Sequence, residues 1–215
     1  MNWIGFEIGS HTRNHTVLTK VTPETAENEL AASKQDLENV FGKVPAVFSY
    51  PESSSSPETD ALVYKYYHAI RYNTEIDRQQ CYHIRTKTTA EDYGRITEDF
   101  VHGDYRVLVI GGHGVDGQGY ESISSKNLLI WIKALKKHKD KIWFASFGEL
   151  SIFESIKDRV HVGIEGNTIV FDTTAIEDLM NRFPDTPFYY CVSAEVDNCA
   201  KSYTVDLRKT KQILL

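Results

Sequence analysis

The sequence predicts an α/β protein built on a mainly parallel sheet, open or closed as a barrel, followed by a small β-rich appendage. Three observations lead there. From residue 4 to residue 159, short β-branched or aromatic runs alternate with segments of helical period, the pattern of strands joined by crossover helices. Helix starts are written as Ser or Thr followed by Pro or Glu. After Arg159 the helical period disappears and alternation with turn residues replaces it.

Taken in order, residues 4–9 read as a short strand. A helix is expected over 23–41: Thr22 suits the N-cap, Pro23 the first helical position, Glu24 the positive end of the dipole. Ala26, Leu30, Leu37 and Phe41 mark its buried face, and Gly42 ends it. Residues 44–50 read as a buried strand, and 53–56 as a polar loop. Ser56-Pro57-Glu58 opens a second helix with Leu62, Val63 and Tyr66 inward. Strands are expected at 68–72, 81–85 and, most clearly, 105–110, which ends at Gly111-Gly112. Ser124 or Ser125 caps a helix that turns Leu128, Leu129, Ile132 and Leu135 inward. A strand at 142–147 and a helix at 149–159 close this part. The division expected is residues 1–159 as one α/β domain and 160–215 as a β-rich extension, with strands in 160–171 around a Glu165-Gly166-Asn167 turn, at 188–192 and at 203–207.

Hydrophobic residues at 41% and charged residues at 25% fit an ordinary globular chain of 215 residues. A formal net charge of -6 argues against nucleic acid and anionic membrane as main partners, since both need clustered positive charge. The Lys-rich run at 133–141 lies on an expected helix and reads as its solvated face. No apolar run is long enough to span a bilayer, and the first residues carry no signal-peptide pattern. Of the three cysteines, Cys81, Cys191 and Cys199, the last two either pair across a hairpin or stay free; no CxxC pair points to zinc.

Histidines carry the chemistry. His11 and His15, in Ser10-His11-Thr12-Arg13-Asn14-His15, follow the first expected strand directly. Two imidazoles four positions apart can hold one metal ion, and parallel α/β folds place active sites where strands end. Spacing alone leaves a chance pair of surface histidines open. His113, in Val109-Ile110-Gly111-Gly112-His113-Gly114, follows the best strand and suits general acid work near neutral pH. Gly112 to Gly117 spell a GxGxxG, but loop-like residues follow where a dinucleotide fingerprint would open a helix. Phe48-Ser49-Tyr50-Pro51 ends the strand after the first helix, with proline fixing a sharp exit.

Together these runs resemble the polysaccharide deacetylases of the NodB-homology group. Gly5-Phe6-Glu7-Ile8-Gly9-Ser10-His11-Thr12-Arg13-Asn14-His15 looks like the family's H-[ST]-x-x-H motif. Phe48-Ser49-Tyr50-Pro51 is similar to its third motif, 107–114 to its last, and 142–149 to the elements that close the domain. The resemblance implies a distorted (β/α) barrel, an extracellular or periplasmic setting, and removal of acetyl groups from N- or O-acetylated glycans. It implies that His11 and His15 bind a divalent metal, usually zinc, that His113 protonates the departing amine or hydroxyl, and that Tyr50 and Pro51 lie beside substrate.

Two departures accompany the resemblance. Ten residues precede His11, so the family's T-F-D-D motif, source of the base and the third metal ligand, is expected to be missing. Ser49 stands where the third motif has Arg, and Glu52 where it has an aromatic residue. Beside a hydrolase cut short at its N-terminus, the sequence therefore keeps open a catalytically inactive relative that binds carbohydrate or serves as a structural domain.

Overall fold

Five helices begin on a hydroxyl side chain that accepts an amide of the first turn. In a computed structural model that describes residues 6–71, 81–83, 89–103, 107–196 and 199–215, Thr22 caps α1 (Pro23–Phe41), Ser56 caps α2 (Pro57–Tyr66), Thr89 caps α3 (Ala90–His102), Ser124 caps α4 (Ser125–Lys136) and Ser146 caps α5 (Phe147–Ile156). A sixth helix, α6 (Glu177–Arg182), starts without a side-chain cap. At the other end of α1, Gly42 takes φ 64° and returns its amide to Glu38 O, a left-handed ending that glycine adopts without a Cβ penalty.

The chain divides into two compact units. One combines Met1–Arg71 with Ala145–Leu215, the other is Tyr72–Phe144. These limits differ from the division expected at residue 159. The helix before that point and the strands after it share one core, in which Ile152 and Ile156 of α5 pack with Val160, Ile169, Phe171, Phe183, Phe188 and Leu207.

Within the first unit, β1 (Val47–Ser49) and β2 (Ala69–Arg71) pair in parallel, Phe48 opposite Ile70. Helices α1 and α2 close over this pair through Leu30, Phe48, Tyr50, Val63, Tyr67 and Ile70. The later part is antiparallel. β5 (His161–Glu165), β6 (Thr168–Asp172) and β9 (Gln212–Leu214) form a sheet in the order β5-β6-β9, and β7 (Tyr189–Val196) forms a hairpin with β8 (Cys199–Asp206). Cys191 is free and pairs in register with Thr204, while Cys199 stands opposite Val196. That five-residue offset along the strand removes the Cys191–Cys199 disulfide from consideration.

In the second unit, β3 (Cys81–His83) and β4 (Val109–Gly111) pair in parallel, and Trp131 of α4 stacks on Tyr93 of α3 with ring centroids 4.9 Å apart. Trp131 and Leu135 hold the buried face of α4, so Leu129 and Ile132, expected inward, are exposed. Mixed α/β structure is present as expected, but the mainly parallel sheet is represented among the described residues by these two pairs.

Two expected strands are replaced. Residues 6–9 are irregular and only Ser10 bridges to Phe48, through Ser10 N to Val47 O at 2.8 Å and Ser49 N to Ser10 O at 2.9 Å. Residues 142–146 are also irregular, because the reciprocal Ser146–Glu149 capping box starts a helix at Phe147. Residues 105–106 of the strongest expected strand, and 84–85 of another, lie outside the described residues. Among the described residues no helix is long and apolar enough to cross a membrane.

Candidate functional site

His11 follows the Ser10 bridge and is exposed at the end of β1. Its Nδ1 lies 2.7 Å from the carbonyl of Ser49. A carbonyl only accepts, so Nδ1 carries the proton and Nε2 is the nitrogen with the lone pair. The His15 ring stands 4.9 Å away, centroid to centroid, at 73° to the first. The backbone that brings them together is unusual: Thr12 and His15 both have left-handed φ, 62° and 58°, a conformation that costs a β-branched residue such as Thr12 energy and persists when the surroundings impose it.

Those surroundings are supplied by Glu29 on α1. Its carboxylate accepts the amides of Arg13 at 3.0 Å and Asn14 at 2.9 Å and the Asn14 side chain at 2.6 Å. Burial pushes the Glu29 carboxyl up, but the bonds from Asn14, Thr16 and Arg13 outweigh it and hold it below the ordinary carboxylate range. Thr12 Oγ1 closes the turn by accepting the Thr16 amide at 2.9 Å, and Arg13 reaches Asp36 at 2.9 Å. Beneath the loop, the hydroxyls of Ser10 and Ser33 meet at 2.8 Å in the core. Sequence reading missed Glu29. The signal was its place on α1 between Ala26, Leu30 and Ser33, all buried: a carboxylate on the inward face needs partners.

Near the pair, Glu52 sits at left-handed φ 55° and ion-pairs with Lys20 at 2.8 Å. The hydrogen bond from Lys20 holds its carboxyl below the ordinary range, with a smaller electrostatic contribution from His15. Tyr50 and Pro51, expected beside substrate, are buried: the Tyr50 ring packs edge-on against Phe48 at 5.0 Å and its hydroxyl donates to Asp60 at 2.7 Å. Burial first, and then Asp60, pushes that hydroxyl well above the usual phenol range. His113 belongs to the second unit, exposed in a loop after β4, with its ring edge-on to Tyr120 at 5.4 Å. That loop continues through residue 124 and folds back by Asp116 N to Ile123 O at 2.8 Å, so the GxGxxG run opens no helix.

His11 and His15 supply two imidazoles, an apt donor chemistry for zinc. Among the described residues no group of three or more His, Cys, Asp and Glu is arranged to hold a metal ion. The pair thus fits part of a ligand set.

Comparison with known proteins agrees with these motifs over part of the chain. Residues 1–69 match the family model for polysaccharide deacetylase; the runs around His113 and 142–149 lie outside that match. No curated protein matches. Similar solved structures include a peptidoglycan N-acetylglucosamine deacetylase, at 16% identity and TM-score 0.43 over 63% of this chain and 59% of its own. The chitin deacetylase of Colletotrichum lindemuthianum is similar at 18% identity and TM-score 0.43 over 62% of this chain and 57% of its own. A CE4 family pseudoenzyme from Bacillus anthracis is similar at 12% identity and TM-score 0.39 over 64% of this chain and 43% of its own. This chain therefore spans less than two thirds of the length of each. The histidine pair and its motif lie inside the segment, residues 1–69, that matches the polysaccharide deacetylase model.

Proposed function

We propose that this chain is a hydrolase that removes acetyl groups from N- or O-acetylated polysaccharide, with His11 and His15 as ligands of a divalent metal, zinc being the expected one. The observation that carries this reading is the arrangement of the two rings, 4.9 Å apart, with the His11 tautomer set by the Ser49 carbonyl. A hydrogen bond from the second ring nitrogen to a carbonyl is the usual orienting device for a metal-binding imidazole. A bound divalent ion would polarise the acetyl carbonyl and lower the pKa of a water. His11 and His15 would hold it, with Glu29 keeping their loop in its strained turn; the part of His113, proton donor to the departing amine or hydroxyl, rests on the resemblance alone. In this reading the α/β elements belong to a distorted (β/α) barrel.

Calorimetric zinc titration of the chain and of His11→Ala and His15→Ala, beside acetate release from acetylated chitin oligomers and xylan, tests the proposal. Zinc binding that both substitutions abolish, with measurable acetate release, supports it; a chain that takes up no zinc overturns it. A second reading is favoured by one observation, that no third ligand joins the pair among the described residues. This is an inactive relative that binds acetylated glycan without turnover, and glycan binding without acetate release would identify it.

A further inference from the structure

We infer that β5 is a homodimerisation edge: two copies of this chain pair their β5 strands antiparallel about Gly163, joining two three-stranded sheets into one of six strands. β5 is the terminal strand of the order β5-β6-β9, and all five of its residues, His161-Val162-Gly163-Ile164-Glu165, are exposed. It pairs with β6 without interruption from His161↔Asp172 to Glu165↔Thr168. The devices that protect an edge, a bulge, a proline or a lysine, are missing from these five residues.

The turn fixes which backbone groups face outward. Gly166 takes φ 60° while Asn167 is not left-handed, the II′ form of a two-residue hairpin. Residues flanking such a turn exchange both hydrogen bonds, so Glu165, Gly163 and His161 point their amides and carbonyls at β6. Those of Val162 and Ile164 point away from the sheet, open to a partner strand. The side chains of these two residues lie on the same sheet face as the buried Phe171 and Ile169 opposite them, yet are 40% and 70% exposed. The sheet's apolar face thus runs on, uncovered, to its edge.

The five-residue run is complementary to its own reverse. Pairing about Gly163 sets Val162 against Ile164 of the partner twice, covering four apolar side chains. It sets His161 against Glu165 of the partner at each end, opposite charges when the imidazole is protonated. Gly163 falls on the two-fold axis as a pair without hydrogen bonds, where strands approach most closely; a Cβ built there meets nothing within 4 Å inside its own chain. An isologous contact of this kind closes on itself. Five residues a side make a small interface, so the association is weak and reversible.

Sedimentation velocity of the 215-residue chain over a concentration series should show a monomer–dimer equilibrium. Ile164→Lys, at an exposed position that leaves the fold intact by circular dichroism, should weaken it about tenfold or more. The register has its own test. With Cys81, Cys191 and Cys199 replaced by Ser, Gly163→Cys should form an interchain disulfide on mild oxidation, because its counterpart lies directly opposite. Glu165→Cys should crosslink several-fold less, its counterpart being four residues, about 13 Å, along the strand. A chain that stays monomeric at every concentration, an Ile164→Lys variant that dimerises as before, or equal crosslinking at both positions overturns the inference.

Discussion

The carboxylate of Glu7 accepts the amide of Gly148 at 2.9 Å, joining residues 141 apart in sequence. Gly148 is the second residue of α5, and its amide is one of those a helix leaves without an internal partner. The carboxylate thus meets the positive end of the helix dipole. Although Glu7 as a residue is exposed, crowding by the helix end desolvates its carboxyl and pushes its pKa up. The Gly148 amide and the Ser146 hydroxyl pull the other way, and Glu149 adds to the rise. The contact holds the segment leading to His11 against the last helix of the α/β part.

That contact requires glycine at 148. A Cβ there would come within 1.7 Å of Glu7 Oε1 and 3.1 Å of Val47 Cγ2. Gly148→Ala is expected to displace the Glu7 carboxylate and lower stability by about 1 kcal/mol, the size of one lost hydrogen bond. In a Glu7→Ala background the same change should be close to neutral, because alanine's helix propensity then offsets the Val47 contact. Urea midpoints for the four proteins of this cycle measure the coupling. Equal losses in both backgrounds would show that Glu7 is not the obstacle.

Glu29 organises the histidine loop, so its removal should be read there first. Glu29→Ala frees the amides of Arg13 and Asn14 and leaves Thr12 and His15 without the bonds that hold their left-handed turn. Zinc affinity should fall about 10- to 100-fold, as when outer-shell partners of metal ligands are lost. Glu29→Gln, which can still accept the amides but lacks the charge, should fall between. The outcome that sinks this assignment is unchanged zinc affinity in Glu29→Ala.

Helix boundaries were legible where chemistry is local. α1 runs over the expected residues because Thr22, Pro23 and Gly42 each act within a few residues of themselves. The same logic, applied further, would have found α3, since Thr89 and Asp92 form a reciprocal capping box, and would have moved the last helix start to Phe147. Trp143 and Phe144 favoured a strand by residue type, but residues 142–146 are irregular and the Ser146 cap decides. The histidine pair was legible from its motif. Its geometry was not, because left-handed φ at Thr12 and His15 is imposed by Glu29 and by Ser49, both distant in sequence. The burial of Tyr50 was equally non-local, set by α2 closing over β1.

In the second unit, Thr97 ties two helices. Its hydroxyl donates to Tyr93 O at 2.7 Å and accepts from Trp131 Nε1 at 3.2 Å, all in the core. Thr97→Val keeps the shape and leaves the indole N–H buried without that acceptor. The expected cost is about 1–3 kcal/mol, read from the thermal unfolding of the tryptophan fluorescence. A loss below a few tenths would mean that Trp131 finds another acceptor.

His68 should make the first unit sensitive to acid. Its Nε2 lies 3.0 Å from Ser155 Oγ and 3.4 Å from Ser151 O, and its ring stands edge-on to Phe183 at 5.8 Å. Because Ser155 Oγ itself donates to Ser151 O at 2.9 Å, it accepts from the imidazole, which places the proton of the neutral ring on Nε2. Burial lowers the His68 pKa, the Ser151 carbonyl raises it, and the charges of Arg182 and Arg159 lower it further, with a net fall. The folded state therefore binds fewer protons than the unfolded chain between the depressed value and about 6.5, the unfolded histidine pKa. The stability contributed by neutral His68 is complete above about pH 6.5 and is lost as pH falls through the folded value. Urea unfolding at intervals between about pH 5 and 8 should show stability falling on the acid side, the range in which histidine titrates. His68→Gln keeps a donor for Ser155 and cannot titrate, so its profile should be flatter over the same window. It should also be lower at the alkaline end by about 1 kcal/mol, for the lost packing against Phe183. The two proteins differ at this ring alone, so the difference between the two profiles isolates it. Parallel profiles would show that His68 takes up its proton in the folded state as readily as in the unfolded chain.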